Sequence, residues 1–354
     1  MRQRPDDRMK RRRVNNPGTT RSATISITDV AAIAKVSVGT VSRVFNQNPT
    51  VDQDLRKRVL KASRNLGFVP RTLQRCIGLI TGRASPALPI GFVSVMTSLV
   101  WRYLAAEGYS VELIDISNLE HAYQAHIEGV IAIVFDERIT RLTEVPNLPI
   151  LTINHPIPDH FIHSVRADHC QQAVLAVNHF LKYGHQKIGL IQIEPDEWGS
   201  RERLRGYQET LAGQGIALDD SLVQYSALQP VYDVVTRWIR HGVTAILNFG
   251  EDTSLEVLHI LTNILGVKIG VDISIISLED IPIYQYFSPP QTTVHQPLEE
   301  LAQLAASHMI ELCHSRNAQP KKKEIVDICL TSTLIVRDSV VQCVNPSLEI
   351  KHTS

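Results

Sequence analysis

Within ten residues the chain sets Ser37, Thr40, Ser42, Arg43 and Asn46 among Val38, Gly39, Val41, Val44 and Phe45. Hydroxyl and amide groups at such steps can hold phosphate oxygens, and Arg43 can reach a guanine O6/N7 pair or a phosphate. A local helix cap explains each serine or threonine as well, and a plain surface charge explains Arg43. A second group, His155, His160, His163 and His169, invites a metal reading. No two of these histidines stand at the helical i,i+4 spacing, no cysteine joins them, and nearby prolines point to loops, so neither a metal site nor a cofactor is expected. The sequence contains no G-x-S-x-G, no P-loop and no G-x-G-x-x-G. Nucleophilic and nucleotide-dependent catalysis therefore lack a foothold, no catalytic residue is assigned, and the chain is not read as an enzyme.

Charge marks where nucleic-acid chemistry would sit. The 354 residues carry 36 Lys and Arg against 36 Asp and Glu. Yet residues 1–75 hold 17 basic against 5 acidic side chains, and the remainder is acidic by the same excess. Such segregation is the footprint of a nucleic-acid-binding head on an acidic body. A solvated tail accounts for only half of it, because residues 1–21 contribute 8 cations and 2 acids. Five scattered cysteines with no C-x-x-C exclude a disulfide framework and fit a reducing compartment, so a cytoplasmic location is expected. No stretch of eighteen apolar residues offers a membrane span, and the Arg-rich start lacks the apolar run of a secretory signal.

The elements that must position these residues follow from periodicity. Residues 1–24 form a basic extension with no expected fold. Ser26 starts a helix with Val30, Ile33 and Ala34 on one face; Ser37 starts a second with Val41, Val44 and Phe45. Asp52 caps a third, with Leu55, Val59, Ala62 and Leu66 as its stripe and Gly67 as its stop. This spacing fits a helix-turn-helix over 25–72, or another small helical bundle. Residues 73–89 read as hinge and linker. From Ile90 short apolar runs alternate with helical stretches: Ile90–Val95, Val111–Ile116, Val130–Phe135, Ile150–Asn154, Ile188–Ile193, Ala245–Phe249, Ile273–Leu278 and Leu330–Val336. That alternation predicts α/β architecture with parallel strands, as one large sheet or two lobes.

The run Thr28-Asp29-Val30-Ala31, then Ala34-Lys35-Val36-Ser37-Val38-Gly39-Thr40-Val41-Ser42-Arg43-Val44-Phe45-Asn46, resembles the DNA-binding head of the LacI/GalR family of bacterial repressors. Further similarity lies in Leu66–Pro70, Leu79–Arg83, Gly184–Ile191, Arg201–Tyr207, Asp280–Pro282, Pro289–Val294 and Leu334–Ser339. The resemblance spans about residues 25–340. It implies an all-α helix-turn-helix head plus an α/β two-lobed periplasmic-binding-protein-like effector domain over 90–340. The first lobe is expected at about 90–158 and 290–319, the second at about 159–289 and 320–340, with a tail from 341. The implied function is a homodimeric transcriptional repressor of a carbohydrate-utilisation operon, binding a pseudo-palindromic double-stranded DNA operator under a sugar-type effector. The run Gly129–Ile133 is similar to galactoside-responsive members.

Residue by residue, the resemblance assigns Ser37, Val38, Gly39, Thr40, Ser42, Arg43 and Asn46 to DNA, with Leu79 (or Ile77) as the hinge wedge in the minor groove. It assigns Asn154, Arg203, Glu279 and Gln296 to an effector cleft, where paired hydroxyls need fork-like partners; Trp198 could stack a sugar ring or belong to the core. Gly250 stands where the family pattern has a ligand-binding asparagine. The first-lobe loop contacting the effector reads as shortened. A ligand-independent regulator is the first alternative, and a solute-binding α/β protein with an incidental helical head the second.

Overall fold

A computed structural model describes residues 25–46, 48, 50–68, 75–82, 91–124, 127–315 and 325–343. The basic extension 1–24 lies outside the described residues.

The head is three helices: α1 (Ile27–Ala34), α2 (Val38–Phe45) and α3 (Gln53–Leu66). Each start is set by a side chain. Asp29 accepts from the Ser26 N–H at 2.8 Å, Ser37 Oγ from the Thr40 N–H at 3.1 Å, and Asp52 from the Asp54 N–H at 2.9 Å. Helix α3 stops at Gly67, whose φ of 68° suits glycine. Val30, Ala34, Val41, Val44, Phe45, Val59 and Leu60 meet in one core.

The body contains two six-stranded sheets. The first is built from β1 (Cys76–Thr81), β2 (Ser110–Asp115), β3 (Gly129–Ile133), β4 (Ile150–Ile153) and β5 (His163–Ala167), with α4 (Phe92–Ala106) after β1 and the short α5 (Glu120–Gln124) after β2. The chain then enters the second lobe at α6 (His169–Lys182) and runs through β6 (Ile188–Gln192), α7 (Trp198–Gly213), β7 (Val223–Tyr225), α8 (Val231–Arg240), β8 (Ala245–Asn248), α9 (Glu251–His259), β9 (Ser274–Ser277) and β10 (Thr292–His295). It returns to the first lobe for α10 (Leu298–Ser315) and β11 (Asp327–Leu330), and crosses again for β12 (Thr333–Ile335). Strand orders are β11-β5-β4-β3-β1-β2 and β12-β10-β9-β8-β6-β7, parallel except for β12 against β10. Helices cover both faces of each sheet, which is why most strands are apolar throughout.

Three crossings join the lobes, and side chains tie them together. Ser332 Oγ accepts from Gln172 Nε2 at 3.1 Å, and the Ser332 N–H donates to Gln171 Oε1 at 2.9 Å. Asn154 Nδ2 donates to Gln296 Oε1 at 3.1 Å. The head rests on the first lobe, where Arg64 Nη2 donates to the Ala122 carbonyl at 3.3 Å and Asn147 Nδ2 donates to the Arg64 carbonyl at 3.0 Å.

Four expectations need correction. Ile90–Val95 is not the first strand: Phe92 opens α4, whose Met96, Val100 and Leu104 recur every four residues on the buried face. The first strand is β1, so the effector-domain fold begins near residue 76, and Gly82–Gly91 separates it from a 15-residue helix. The shortened-loop reading, which rested on a strand at Ile90, falls with that strand. Leu79 is fully buried in β1 between β2 and β3, as is Ile77, and neither can wedge into DNA without dismantling the sheet. Lastly, β5 and β11 belong to the first lobe and β10 to the second, so the crossings fall near 168, 297 and 331.

Candidate functional site: a DNA face and an inter-lobe cleft

Helix α2 turns Val41, Val44 and Phe45 inward, and that choice points its other residues outward. Ser37, Val38, Gly39, Arg43 and Asn46 are exposed, while Thr40 and Ser42 are half-buried. Ser37 also serves as the helix cap, its Oγ lying 2.9 Å from Thr40 Oγ1, and Asn46 Nδ2 reaches Ser42 Oγ at 3.4 Å. Val38 at 40% exposure is an apolar group set on a polar helix start, which suits contact with a thymine methyl.

The cleft forms at the carboxyl ends of the strands, where open α/β sheets bind ligands. Asn154 follows β4, Phe249 follows β8, Glu279 lies just past β9 and Gln296 just past β10; Arg203 projects from α7. All five line one cavity of about 220 Å³, with Phe92, Phe135, His169, Glu197 and Glu251. Asn154 also anchors the crossing, its Oδ1 accepting from the Ala167 N–H at 2.7 Å. Arg203, 2% exposed, lies over the Phe249 ring and donates from Nη2 to His169 Nδ1 at 3.1 Å. His169 Nδ1 also lies 3.1 Å from Gln172 Oε1, and His169 Nε2 and Arg203 Nε are buried without a hydrogen-bond partner. Polar atoms left unpaired in a buried wall are costly unless a ligand satisfies them.

Burial dominates the electrostatics. It pushes the Glu279 carboxyl up to about 8, assisted by the neighbouring Glu251, although the Gly250 N–H donates to Glu279 Oε1. Burial lowers the Arg203 guanidinium to about 9, opposed by Glu279, Glu197 and Glu251. His169 is held well below its usual range by burial and by Arg203, so it is neutral.

Trp198 and Gly250 are not brought to the cavity wall. Trp198 stands edge-on to His169 at 5.3 Å and Arg166 lies over its ring, so it supports the wall residue His169 without lining the cavity. Gly250 has φ of 99°, and a Cβ there would meet Ile193 at 2.7 Å; it acts through its N–H on Glu279. The histidines disperse: His155 is buried against Phe135, His160 is exposed, and His163 pairs with His308. Among the described residues no group of three or more His, Cys, Asp or Glu could hold a metal ion, and no helix is long and apolar enough to cross a membrane. Sequence reasoning missed Phe92, Phe135, Phe249 and Glu251. The one available signal, position just past a strand end, applies to Phe135 and Phe249 but not to Phe92 and Glu251, which open α4 and α9.

Residues 26–71 match the model of bacterial regulatory proteins, lacI family, and residues 177–340 match the periplasmic binding protein-like domain. The HTH-type transcriptional regulator GalR of Escherichia coli is 27% identical over 347 residues, covering 92% of this chain and 98% of its own. The HTH-type transcriptional repressor PurR of Photobacterium profundum is 25% identical over 341 residues, covering 89% and 98%. The structure of the transcriptional regulator CelR–cellobiose complex shares the fold with a TM-score of 0.66 at 24% identity, covering 90% of this chain and 100% of that one. A DNA-reading head carried on two lobes with a cleft between them defines a transcriptional regulator rather than an enzyme. The chain belongs to the LacI/GalR family and is a DNA-binding transcriptional regulator.

Proposed function

We propose that this regulator is a cytoplasmic homodimer that represses a carbohydrate-utilisation operon and is controlled by a sugar-type effector bound between its lobes. One observation carries the reading: Asn154, Arg203, Glu279 and Gln296 converge from separate segments on one cavity, beside three phenyl rings. Amide, guanidinium and carboxyl groups pair with adjacent hydroxyls, while Phe92, Phe135 and Phe249 cover the apolar faces of a sugar ring. A ligand held by both lobes favours the closed arrangement over the open one and so changes how two heads are presented to a two-fold symmetric operator. Seven residues of the head between Ser37 and Asn46, six of them through side chains and Gly39 through its backbone, supply the operator face.

The test is selection of bound fragments from a genomic library by the full chain, followed by operator-binding isotherms across a sugar panel. The reading expects fragments flanking carbohydrate genes and one sugar that alters affinity at least several-fold. Selected fragments with no two-fold symmetry, or no response to any sugar, would contradict it.

A further inference from the structure

At the mouth of the cleft the lobes touch directly. Glu251, the first residue of α9 in the second lobe, accepts a hydrogen bond at Oε1 from the backbone N–H of Phe92, the first residue of α4 in the first lobe, at 2.5 Å. First-turn N–H groups have no partner within their own helix and favour negative charge, so the α4 N-terminus is the natural seat for an anion in this cleft. Gly91 leaves room for the carboxylate: a Cβ there would lie 2.9 Å from Glu251 Oε1 and 3.1 Å from Oε2. The backbone at Gly91, φ −74° and ψ 175°, is open to any residue, so space is the property that glycine supplies. The same cavity is lined by Glu197 and Asp252, by Asp280, which is paired with Arg337, and by the raised Glu279 carboxyl, with one buried guanidinium, Arg203, whose Nε is unpartnered.

We propose that Glu251 is the selectivity residue of the cleft: seated on the α4 N-terminus from the opposite lobe, it bridges the lobes without a ligand and excludes anionic effectors. Sugar acids and phosphorylated sugars would have to displace this carboxylate and would meet Glu197 and Asp252 beside it. Uncharged, hydroxyl-bearing ligands keep the bridge intact and add to it through Arg203 and His169. The inference rests on the effector-cleft reading and narrows it to uncharged sugars.

Two variants disturb the seat in different ways. Glu251→Ala removes the carboxylate; Gly91→Ala leaves it in place and crowds it out with a methyl group, at the flexible end of a side chain. Amide hydrogen exchange of Phe92 in the ligand-free full-length protein reports the bridge, and melting with inorganic phosphate or glucose 6-phosphate at constant ionic strength reports anion exclusion. Both variants are expected to exchange the Phe92 amide about tenfold faster than the wild type. Phosphate is expected to raise the melting temperature of Glu251→Ala and leave that of the wild type unchanged. Equal Phe92 exchange in all three proteins, or an equal phosphate shift in wild type and Glu251→Ala, overturns the proposal. An acidic or phosphorylated sugar that proves to be the wild-type effector overturns it while the effector-cleft reading stands. A panel in which no sugar of any charge binds overturns both.

Discussion

Arg43 stands exposed on α2, away from the buried Val41 and Val44. Arg43→Ala is expected to weaken operator binding by about 1–3 kcal/mol and relax base preference at one position, measured by binding isotherms on operator variants. Unchanged affinity and preference would reduce Arg43 to a surface charge. Glu279 makes a different prediction. Its folded-state carboxyl is raised, so the native protein holds a proton that the unfolded chain releases, and stability falls as pH rises from about 4.5 to about 8. Glu279→Gln is expected to remove that slope, on the order of a few kcal/mol, in denaturant melts at pH 5 and pH 8; identical slopes would show that the carboxyl is ionised throughout. The polar cleft residues Asn154, Arg203, Glu279 and Gln296 were legible because they sit in recognisable runs. The phenyl rings were not, since an apolar residue past a strand end or at a helix start reads like any core side chain until the second lobe faces it. Gly250 was legible as a departure, but its cause, a backbone at φ 99° that only glycine adopts readily, needed the structure.

The elements misread from sequence fail for one physical reason: short apolar runs have the same composition in a buried strand and on the buried face of a helix. Phe92, Val93 and Val95 favour a strand locally, but burial of Met96, Val100 and Leu104 against α10 decides for a helix. The three helices of the head were legible because each start carries its own cap and Gly67 stops the third. Leu330–Val336 reads as one strand, yet Ser332 is bound to Gln171 and Gln172 at the lobe crossing, and the run splits between two sheets. The relocation of Leu79 has a direct consequence. Leu79→Ala is expected to destabilise the first lobe by about 2–5 kcal/mol in denaturant melts, as large-to-small core changes do, while folded protein keeps its operator affinity. Normal stability with lost operator affinity would restore Leu79 to the DNA interface.

Across the whole molecule, the charge map and the domain map coincide: a basic head on an acidic two-lobed body. Deleting residues 1–21 is expected to weaken binding to all DNA and flatten its salt dependence without changing which sequence is preferred, because eight cations can neutralise phosphates but cannot read bases. An unchanged salt slope, or a changed preference, would contradict this. The α/β architecture was legible as alternating strands and helices, and its division into two lobes came from the family resemblance. The points where the chain crosses between lobes were not, because a crossing is fixed by which sheet accepts each strand and leaves no local mark. The central claim is that the cleft controls the DNA face through Arg203. It is tested most directly by operator-binding isotherms of the wild type and Arg203→Ala, with and without the sugar found in the panel. The account predicts that both proteins bind operator equally well without sugar and that only the wild type changes affinity when sugar is added. An equal response of both proteins at the same sugar concentration would contradict it.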